Sequence, residues 1–577
     1  MPAACVFGSV KPPPGWQAVR KFRDSVRISV RYTEDRRGRT SQVGQLVGPA
    51  QPDGIHQSEL RRDVSVWGSY MWGYAAVGAD IYTALGIITL AALGLAPVAF
   101  LAAGLVFALV GLCYAELASA YPLAGGGQYY TLRGLGDFWG LVAGAALVLD
   151  YTIDISLFAV VAFGYFNYFL PWLTLGHHAL DFTVTLGPIH LAWLWLLETL
   201  AGIVVLTWLN VRGIRISTGL NEIAGTAAII AQAVIVVAGF VLVWKPDLVA
   251  NQFLYNQPSL SRLAFGSSLA IIAFVGLETI SQVAQETRRP ATIIPRTSIG
   301  LVISVLLFAM AFSVLAMGMV PPSEFRGHEG DPVALIAGHI PVLGIVAAPL
   351  TAAIGALIVY VSANSGVVSA SRLSYSMSQF QLLPSWFAKI NRKYATPARA
   401  ILVFSGVAIL QTLFAFFTPG PPGKSAAIDV LADLYAFGAT TGYLLVFISL
   451  LVLRLYDPYT PRPYQMPLNI QMRFRGRPVW FPLLGTLGLL GVLFFLVMVI
   501  LTHDTARIVG PIWIGVAVLI YVAYRRRNGY PLLKSLPRDW ETATKQVLQA
   551  AEEFKSLEEY EAALAERDIA ERARLTD

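Results

Sequence analysis

Twelve runs of mostly apolar residues, each long enough to cross a bilayer, constrain this chain more than any other feature of it. Their limits fall near 66–94, 97–120, 137–170, 190–210, 219–244, 263–286, 297–320, 342–371, 398–417, 428–454, 479–502 and 507–525. A helix needs about 20 residues to cross the hydrocarbon layer. Inside that layer every backbone N–H and C=O must find its partner within the protein, so only helices and closed barrels can cross. Barrel strands alternate polar and apolar residues, and these runs do not. Only 13% of the 577 residues are charged, against about 25% in a soluble protein. The fold class predicted is an all-α membrane protein with twelve transmembrane helices. The two cysteines, Cys5 and Cys113, fit neither a disulfide framework nor a metal cluster.

The polar segments set the orientation. Residues 1–63 carry eleven Lys and Arg against six Asp and Glu and hold no apolar signal-peptide core. They read either as a disordered, basic cytoplasmic tail able to touch anionic lipid or as the product of a mis-assigned start. Alternate loops between the runs hold sixteen Lys and Arg, among them Arg133, Arg212, Arg288, Lys389 and Arg473, while the other set holds five. Basic loops face the cytoplasm, so both ends are expected there, in the plasma or inner membrane. The transporter domain is expected over residues 64–527 and a cytoplasmic tail over 528–577. From Trp540 on, Val547, Ala551, Phe554, Leu557, Tyr560 and Leu564 recur at helical spacing, which predicts an amphipathic helix packed on the transporter or on a second copy.

Two runs carry the same oddity. In the first, Gly78 is followed two residues later by Asp80, roughly 20 Å into the bilayer. In the sixth, Gly276 is followed by Glu278. A carboxylate at mid-depth costs at least about 2.5–3.5 kcal/mol and is a functional candidate by default. Glycine-interrupted spans at matching positions of two halves point to a transporter site. Spans 1–5 and 6–10 each begin with an interrupted one. Five is odd, so the second block must run inverted to the first. The architecture expected is a five-plus-five inverted repeat with broken helices 1 and 6, plus two extra helices.

Four ordered motifs resemble the amino acid–polyamine–organocation superfamily. They are Gly78-Ala79-Asp80-Ile81-Tyr82-Thr83-Ala84-Leu85-Gly86; Ala115-Glu116-Leu117-Ala118 with Tyr121 to Tyr130; Phe274-Val275-Gly276-Leu277-Glu278 with Gln285 to Pro290 and Ile294-Pro295-Arg296; and Ser371-Arg372-Leu373 through Leu383-Pro384 to Thr396-Pro397-Ala398. The resemblance implies a secondary transporter working by alternating access, with substrate held between the two breaks and spans 3, 8 and 10 around it. Gly78, Ala79, Asp80, Tyr82, Phe274, Val275 and Gly276 would then line the substrate site, and Glu278 would act in gating. The sequence departs from the pattern twice. Asp80 intrudes on the small-residue run that cradles a substrate carboxylate in amino-acid members, which favours an amine or a metal cation. The lysine that some proton-coupled members carry in span 5 is missing, and Ala228 occupies the position.

Span 3 adds Asp150 and Asp154, one turn apart on one face. Two carboxylates together in low dielectric cannot both ionise cheaply, so either one holds a proton or a cation lies between them. Asp150 is therefore expected at the substrate and Asp154 in coupling. The Asp150-Tyr151 pair also resembles a motif of the superfamily's potassium-importing branch. Ser362 and Asn364 in span 8 are candidate ion ligands, although polar glue between helices is the alternative. Gly125-Gly126-Gly127 lacks the lysine of a phosphate loop, so gradient-driven transport is expected. No histidine has convincing metal spacing and no nucleophile–base constellation stands out, so neither an enzyme nor a cofactor is expected. The leading reading is proton-linked transport of an amino acid, polyamine or related organic cation. Potassium uptake and a substrate-sensing transceptor are the rivals. The expected partners are a small cationic or zwitterionic substrate, a coupling ion (H+ first) and membrane lipid, with no nucleic acid.

Overall fold

The computed structural model of the chain describes residues 65–576 apart from 124, 171–181, 283, 285–286, 329, 392, 395 and 421–424. The expected tail at 1–63 lies outside the described residues, as do Gln285 and Glu286 of the third motif. The helices are α1 (Val66–Val77), α2 (Asp80–Ala92), α3 (Ala96–Ala120), α4 (Gly126–Leu135), α5 (Asp137–Phe166), α6 (Trp193–Arg212), α7 (Ile214–Leu242), α8 (Pro246–Tyr255), α9 (Leu260–Leu269) and α10 (Thr279–Gln282). They continue with α11 (Pro290–Met319), α12 (Pro332–Gly338), α13 (Gly344–Gln379), α14 (Ala398–Phe416), α15 (Ala427–Tyr456), α16 (Leu483–Thr502), α17 (Asp504–Arg527), α18 (Trp540–Ala550) and α19 (Phe554–Thr576).

Eleven stretches are long and apolar enough to cross a membrane, and the first, Val66–Ala120, runs for 55 residues. At about 1.5 Å per residue that is more than two thicknesses of a ~30 Å hydrocarbon layer. The chain reverses within it at Leu93–Leu95, where Leu93 has φ 49°. Gly94 donates its N–H to Asn256 O at 2.9 Å, and any Cβ there would collide with the Gln252 carbonyl, so only glycine fits the reversal. Span 1 is thus α1 with α2, span 2 is α3, and the described residues make twelve crossings. Span 6 is α9, a 3-10 segment Ala270–Phe274 and α10.

The repeat shows in which helices pack together. Spans 1 and 6, 2 and 7, 3 and 8, and 4 and 9 all lie against each other, and the 3–8 and 2–7 pairings are the most extensive in the molecule. A pseudo-two-fold axis between two inverted blocks brings equivalent members together in this way. Span 3 sits at the centre, with 94% of its most apolar window buried, whereas span 12 has 17%. Leu487, Leu490 and Phe494 of span 11 and Ile512, Val516 and Leu519 of span 12 are exposed, as lipid-facing side chains must be.

Several elements were not expected. Two antiparallel hairpins lie outside the spans, β1 (Thr183–Leu186) with β2 (Ile189–Ala192) and β3 (Asn469–Phe474) with β4 (Arg477–Pro482). The second turns through Arg475 and Gly476, both at positive φ, the torsions a two-residue hairpin requires. Span 7 begins at Pro290 rather than near 297, because its first turns (Pro290 to Arg296) are too polar to register as an apolar run. The terminal segment is two helices rather than one, broken before Phe554 where Glu552 has φ 56°.

That terminal segment is anchored on one face of the bundle, which we call the tail face. Asp137, fully buried at the start of span 3, accepts from Arg525 and from Arg538 at 2.6 Å, and also from the Leu536 N–H at 3.2 Å. Arg538 reaches on to the Phe380 carbonyl at 2.6 Å, and Trp540 packs on Tyr129 and Phe380. Farther along, Glu553 accepts the Thr292 N–H at 3.1 Å while Leu548 and Tyr560 cover Ala291. A second buried knot lies on the same face. Arg454 holds Glu116 in two bonds of 2.5 and 2.8 Å, and the Met466 N–H adds a third at 2.9 Å. Nearby, burial alone would raise the Asp457 carboxyl, but the Arg133 guanidinium, the Thr460 hydroxyl and Arg462 together hold it below the ordinary carboxylate range.

Removing one partner of a buried ion pair strands the other charge and costs about 3–5 kcal/mol. Asp137→Ala strands two guanidinium groups. The expected outcome is a loss of that size in unfolding free energy, read as a lowered melting temperature of the detergent-purified protein. An unchanged melt would mean that the Arg525–Asp137–Arg538 knot contributes nothing to the fold.

Candidate functional site

The two interruptions meet in the middle of the bundle. A Cβ placed on Gly276 would lie 2.9 Å from the Ala76 Cβ, so the breaks touch with nothing between them at that point. They differ in kind. In span 6 the 3-10 segment ends at Phe274, Val275 is extended, and Gly276 takes φ +109° before the short helix α10. In span 1 Gly78 and Ala79 keep near-helical torsions, and the Gly78 N–H still reaches Tyr74 O at 2.7 Å. The opened helix expected there is a two-residue step.

Backbone groups freed at mid-depth need partners, and side chains supply them. Ser362 of span 8 donates to Ala76 O at 3.1 Å. Gln232 of span 5 donates to Gly78 O at 3.1 Å and accepts the Tyr74 hydroxyl at 2.5 Å. At the other break the Gly276 N–H donates to the Tyr443 hydroxyl at 3.4 Å, and that hydroxyl donates to Glu278 Oε2 at 2.7 Å. Gln232 was not expected at the break, although an amide in the middle of the apolar span 5 is a signal that could have found it.

The carboxylates gather around these breaks. Asp80 opens α2, a helix N-terminus that favours negative charge. It is fully buried, neither oxygen makes a hydrogen bond, and the carboxylate faces the Val275 N–H without bonding geometry. Asp150 is likewise buried, takes no hydrogen bond from an N–H or hydroxyl, and lies beside Glu278 as well as Asp154. Glu278 of span 6 thus joins the two carboxylates expected together on span 3. Asp154 turns toward spans 8 and 10, where Ser365 and Tyr435 each donate to it at 3.4 Å, the outer limit of a hydrogen bond. Buried polar groups are nearly always paired, and oxygens of Asp80, Asp150 and Glu278 are among the buried side-chain oxygens that no N–H or hydroxyl meets.

Other candidates fall elsewhere. Phe274 stacks on Phe107 with ring centroids 5.2 Å apart and stands edge-on to Phe100, so its ring packs into span 2 and only its backbone belongs to the break. Tyr82 lies on the far side of the break, edge-on to Tyr165, whose hydroxyl donates to Tyr82 O at 2.8 Å. Ser362 sits at the break, but Asn364 accepts from Asn210 of span 4 at 2.6 Å, the interhelical glue that was the alternative for it.

Contacts flank the breaks on both faces. On the tail face Gln282 donates to the Tyr151 hydroxyl at 3.0 Å and to Gly125 O at 3.4 Å. Gly125 and Gly126 have positive φ, and a Cβ on Gly126 would strike Ser281, so the glycine run lies directly on α10. On the far face Tyr435 stands edge-on to Phe158 and Tyr82 edge-on to Tyr165.

Twelve crossings with two broken helices apposed at mid-depth are the architecture of a membrane transporter. Residues 69–524 match the family model described as amino acid permease, and the chain belongs to that family. It is 26% identical over 487 residues to the branched-chain amino acid permease BcaP of Bacillus subtilis, covering 82% of this chain and 95% of that protein. It is also 26% identical to the methylthioribose transporter of the same species, over 81% of this chain and 94% of that protein. A third relative, the mitochondrial cationic amino acid transporter 3 of Arabidopsis thaliana, is 26% identical over 69% of this chain and 62% of its own length.

Gly276 has both a positive φ and a Cβ-to-Cβ approach too close for any side chain. Gly276→Ala should force the breaks apart at a cost of roughly 1–3 kcal/mol. Transport should fall at least about tenfold in protein that still purifies as a single species; full activity would show that the apposition does not matter.

Proposed function

We propose that this permease moves a cationic or zwitterionic amino acid, or a related organic amine, between the two breaks by alternating access. One observation carries the reading: the Asp80 carboxylate is fully buried at the apposed breaks with neither oxygen hydrogen-bonded. An ammonium group is the ligand that satisfies such a group, because it supplies both charge and donors. The extended backbone of Val275 lies beside it. The names of relatives, a branched-chain amino acid permease and a cationic amino acid transporter, support an amino acid as cargo.

Asp150 and Glu278 share the coupling proton in this proposal, since two carboxyl groups in contact at low dielectric are stable together when one of them is protonated. Asp154 adjusts their balance through Tyr435 and Ser365. The tail face lies in the cytoplasm and the protein sits in the plasma or inner membrane, a placement supported by the sixteen basic residues of the loops on that side.

Uptake of radiolabelled L-arginine, L-leucine, putrescine and rubidium into proteoliposomes tests the reading. Uptake of an amino acid or amine is expected, and Asp80→Asn should lower it by about two to four orders of magnitude, as the loss of ~3–5 kcal/mol from a buried charge pair would. Normal uptake by folded Asp80→Asn removes that residue from the site. Rubidium uptake without any organic substrate would favour the potassium reading, and binding without flux would favour a transceptor. Asp154→Asn should displace the pH optimum of uptake; an identical pH profile would make Asp154 a structural residue.

A further inference from the structure

Where spans 4 and 9 meet on the tail face, two arginines lie over tryptophans with no acid beside them. Arg212 closes α6, its guanidinium carbon 4.0 Å from the centre of the Trp208 ring. Arg399, in the first turn of α14, stacks on Trp386 at 5.1 Å. The Thr396 hydroxyl donates to Val211 O at 3.0 Å and so ties the two helix ends together. Phe387 packs on Phe404 of α14 with ring centroids 6.0 Å apart, which fixes the loop that carries Trp386. Both tryptophans are exposed, and so are Val204 and Val205 on α6 and Leu402 on α14, so the site stands on the lipid-facing surface of the bundle. Tryptophan rings settle at the headgroup level of a membrane.

The charge at this place is unbalanced. Five other arginines of the tail face meet carboxylates: Arg133 has Asp457 at 3.3 Å, Arg454 has Glu116, Arg525 and Arg538 share Asp137, and Arg567 has Glu541 at 2.6 Å. No Asp or Glu occurs between Asp331 and Asp429 or between Glu198 and Glu222, the stretches that hold spans 8 and 9, the loop joining them and the end of span 4. Lys389 and Lys393 add two exposed positive charges on that loop. A last-turn position suits Arg212, because a helix C-terminus is the negative end of its dipole. Arg399 has no such support. It stands at the N-terminal end of α14, where the same field opposes a cation, and its Nη1 is shut off from solvent without meeting an acceptor. A buried donor left without its acceptor costs free energy. An anion supplied from outside the chain removes that cost.

We propose that the Arg212–Trp208 and Arg399–Trp386 stacks form a binding site for the phosphate of an anionic membrane lipid. A guanidinium lying on an aromatic ring keeps its edge N–H groups free, and two of them match two phosphate oxygens. Basic sites between membrane helices take anionic headgroups in this way. The acyl chains then run along Val204, Val205 and Leu402, and it is this apolar border that selects a lipid over a soluble anion. A second copy of the chain does not fit, because a two-fold contact would set these like charges against each other. The lipid joins spans 4 and 9, the equivalent members of the two repeats. The inference rests on the fold alone, not on the substrate or on the side the tail face occupies.

Native mass spectrometry of delipidated full-length protein in detergent tests the site, with dioleoyl phosphatidylglycerol and dioleoyl phosphatidylcholine as probes. One phosphatidylglycerol should bind at lower concentration than phosphatidylcholine. Arg212→Gln combined with Arg399→Gln should weaken that adduct roughly thirtyfold and leave the phosphatidylcholine adduct unchanged. Arg475→Gln removes an arginine stacked on Tyr456 at the β3–β4 turn and should change neither. If the double variant does not purify, Arg399→Gln serves alone, with an expected loss of about fivefold. Equal phosphatidylglycerol binding in wild type and variant, or an equal loss in Arg475→Gln, overturns the proposal. Displacement of the lipid by glycerol 3-phosphate would make this a site for soluble anions instead. A dimer that excludes the lipid and dissociates in the double variant would make it a contact between copies.

Discussion

The structure depends on one constraint: a helix interrupted inside hydrocarbon must have its freed backbone groups met by other helices. Here the debt of span 1 falls on spans 5 and 8, through Gln232 and Ser362, and that of span 6 falls on span 10, through Tyr443. Each of these donors or acceptors comes from a different helix. The breaks therefore act as the points at which distant helices are held in register. The central carboxylates inherit their positions from this arrangement, since Glu278 is fixed by the same Tyr443 hydroxyl that meets Gly276.

The two breaks are unequal, and the inequality suits their contents. Span 1 keeps nearly helical torsions through its step, so Asp80 starts a fresh helix and gains its favourable N-terminal field. Span 6 gives up a full stretch of helix, leaving α10 a separate four-residue piece in contact with α4 through Gln282. A short piece joined by extended backbone can move without carrying the rest of its helix.

Much of this was legible in the residues because hydrocarbon imposes a coarse rule. Span number and the position of both breaks followed from apolar length and from the Gly-x-acid pattern at Gly78 and Gly276. Side-chain direction was not legible. Phe274 could line a site or fill a core, and only the neighbouring Phe100 and Phe107 decide it. Asp150 and Asp154 share a helix face, yet their partners come from spans 6, 8 and 10, which no local spacing reveals. The same holds for Asp137, whose two arginines are 388 and 401 residues distant.

The terminal helices reach from the start of span 3 and the end of span 8 to the start of span 7, directly after the short helix α10. Any opening toward the tail face that moved α10 away from spans 3 and 8 would pull on both ends of that bridge. The tail must then either travel with one side or let go of the other. By thermodynamic reciprocity, whatever free energy its grip adds to the closed state is the same free energy by which opening weakens that grip. The tail is thus linked to whichever movement parts α10 from spans 3 and 8.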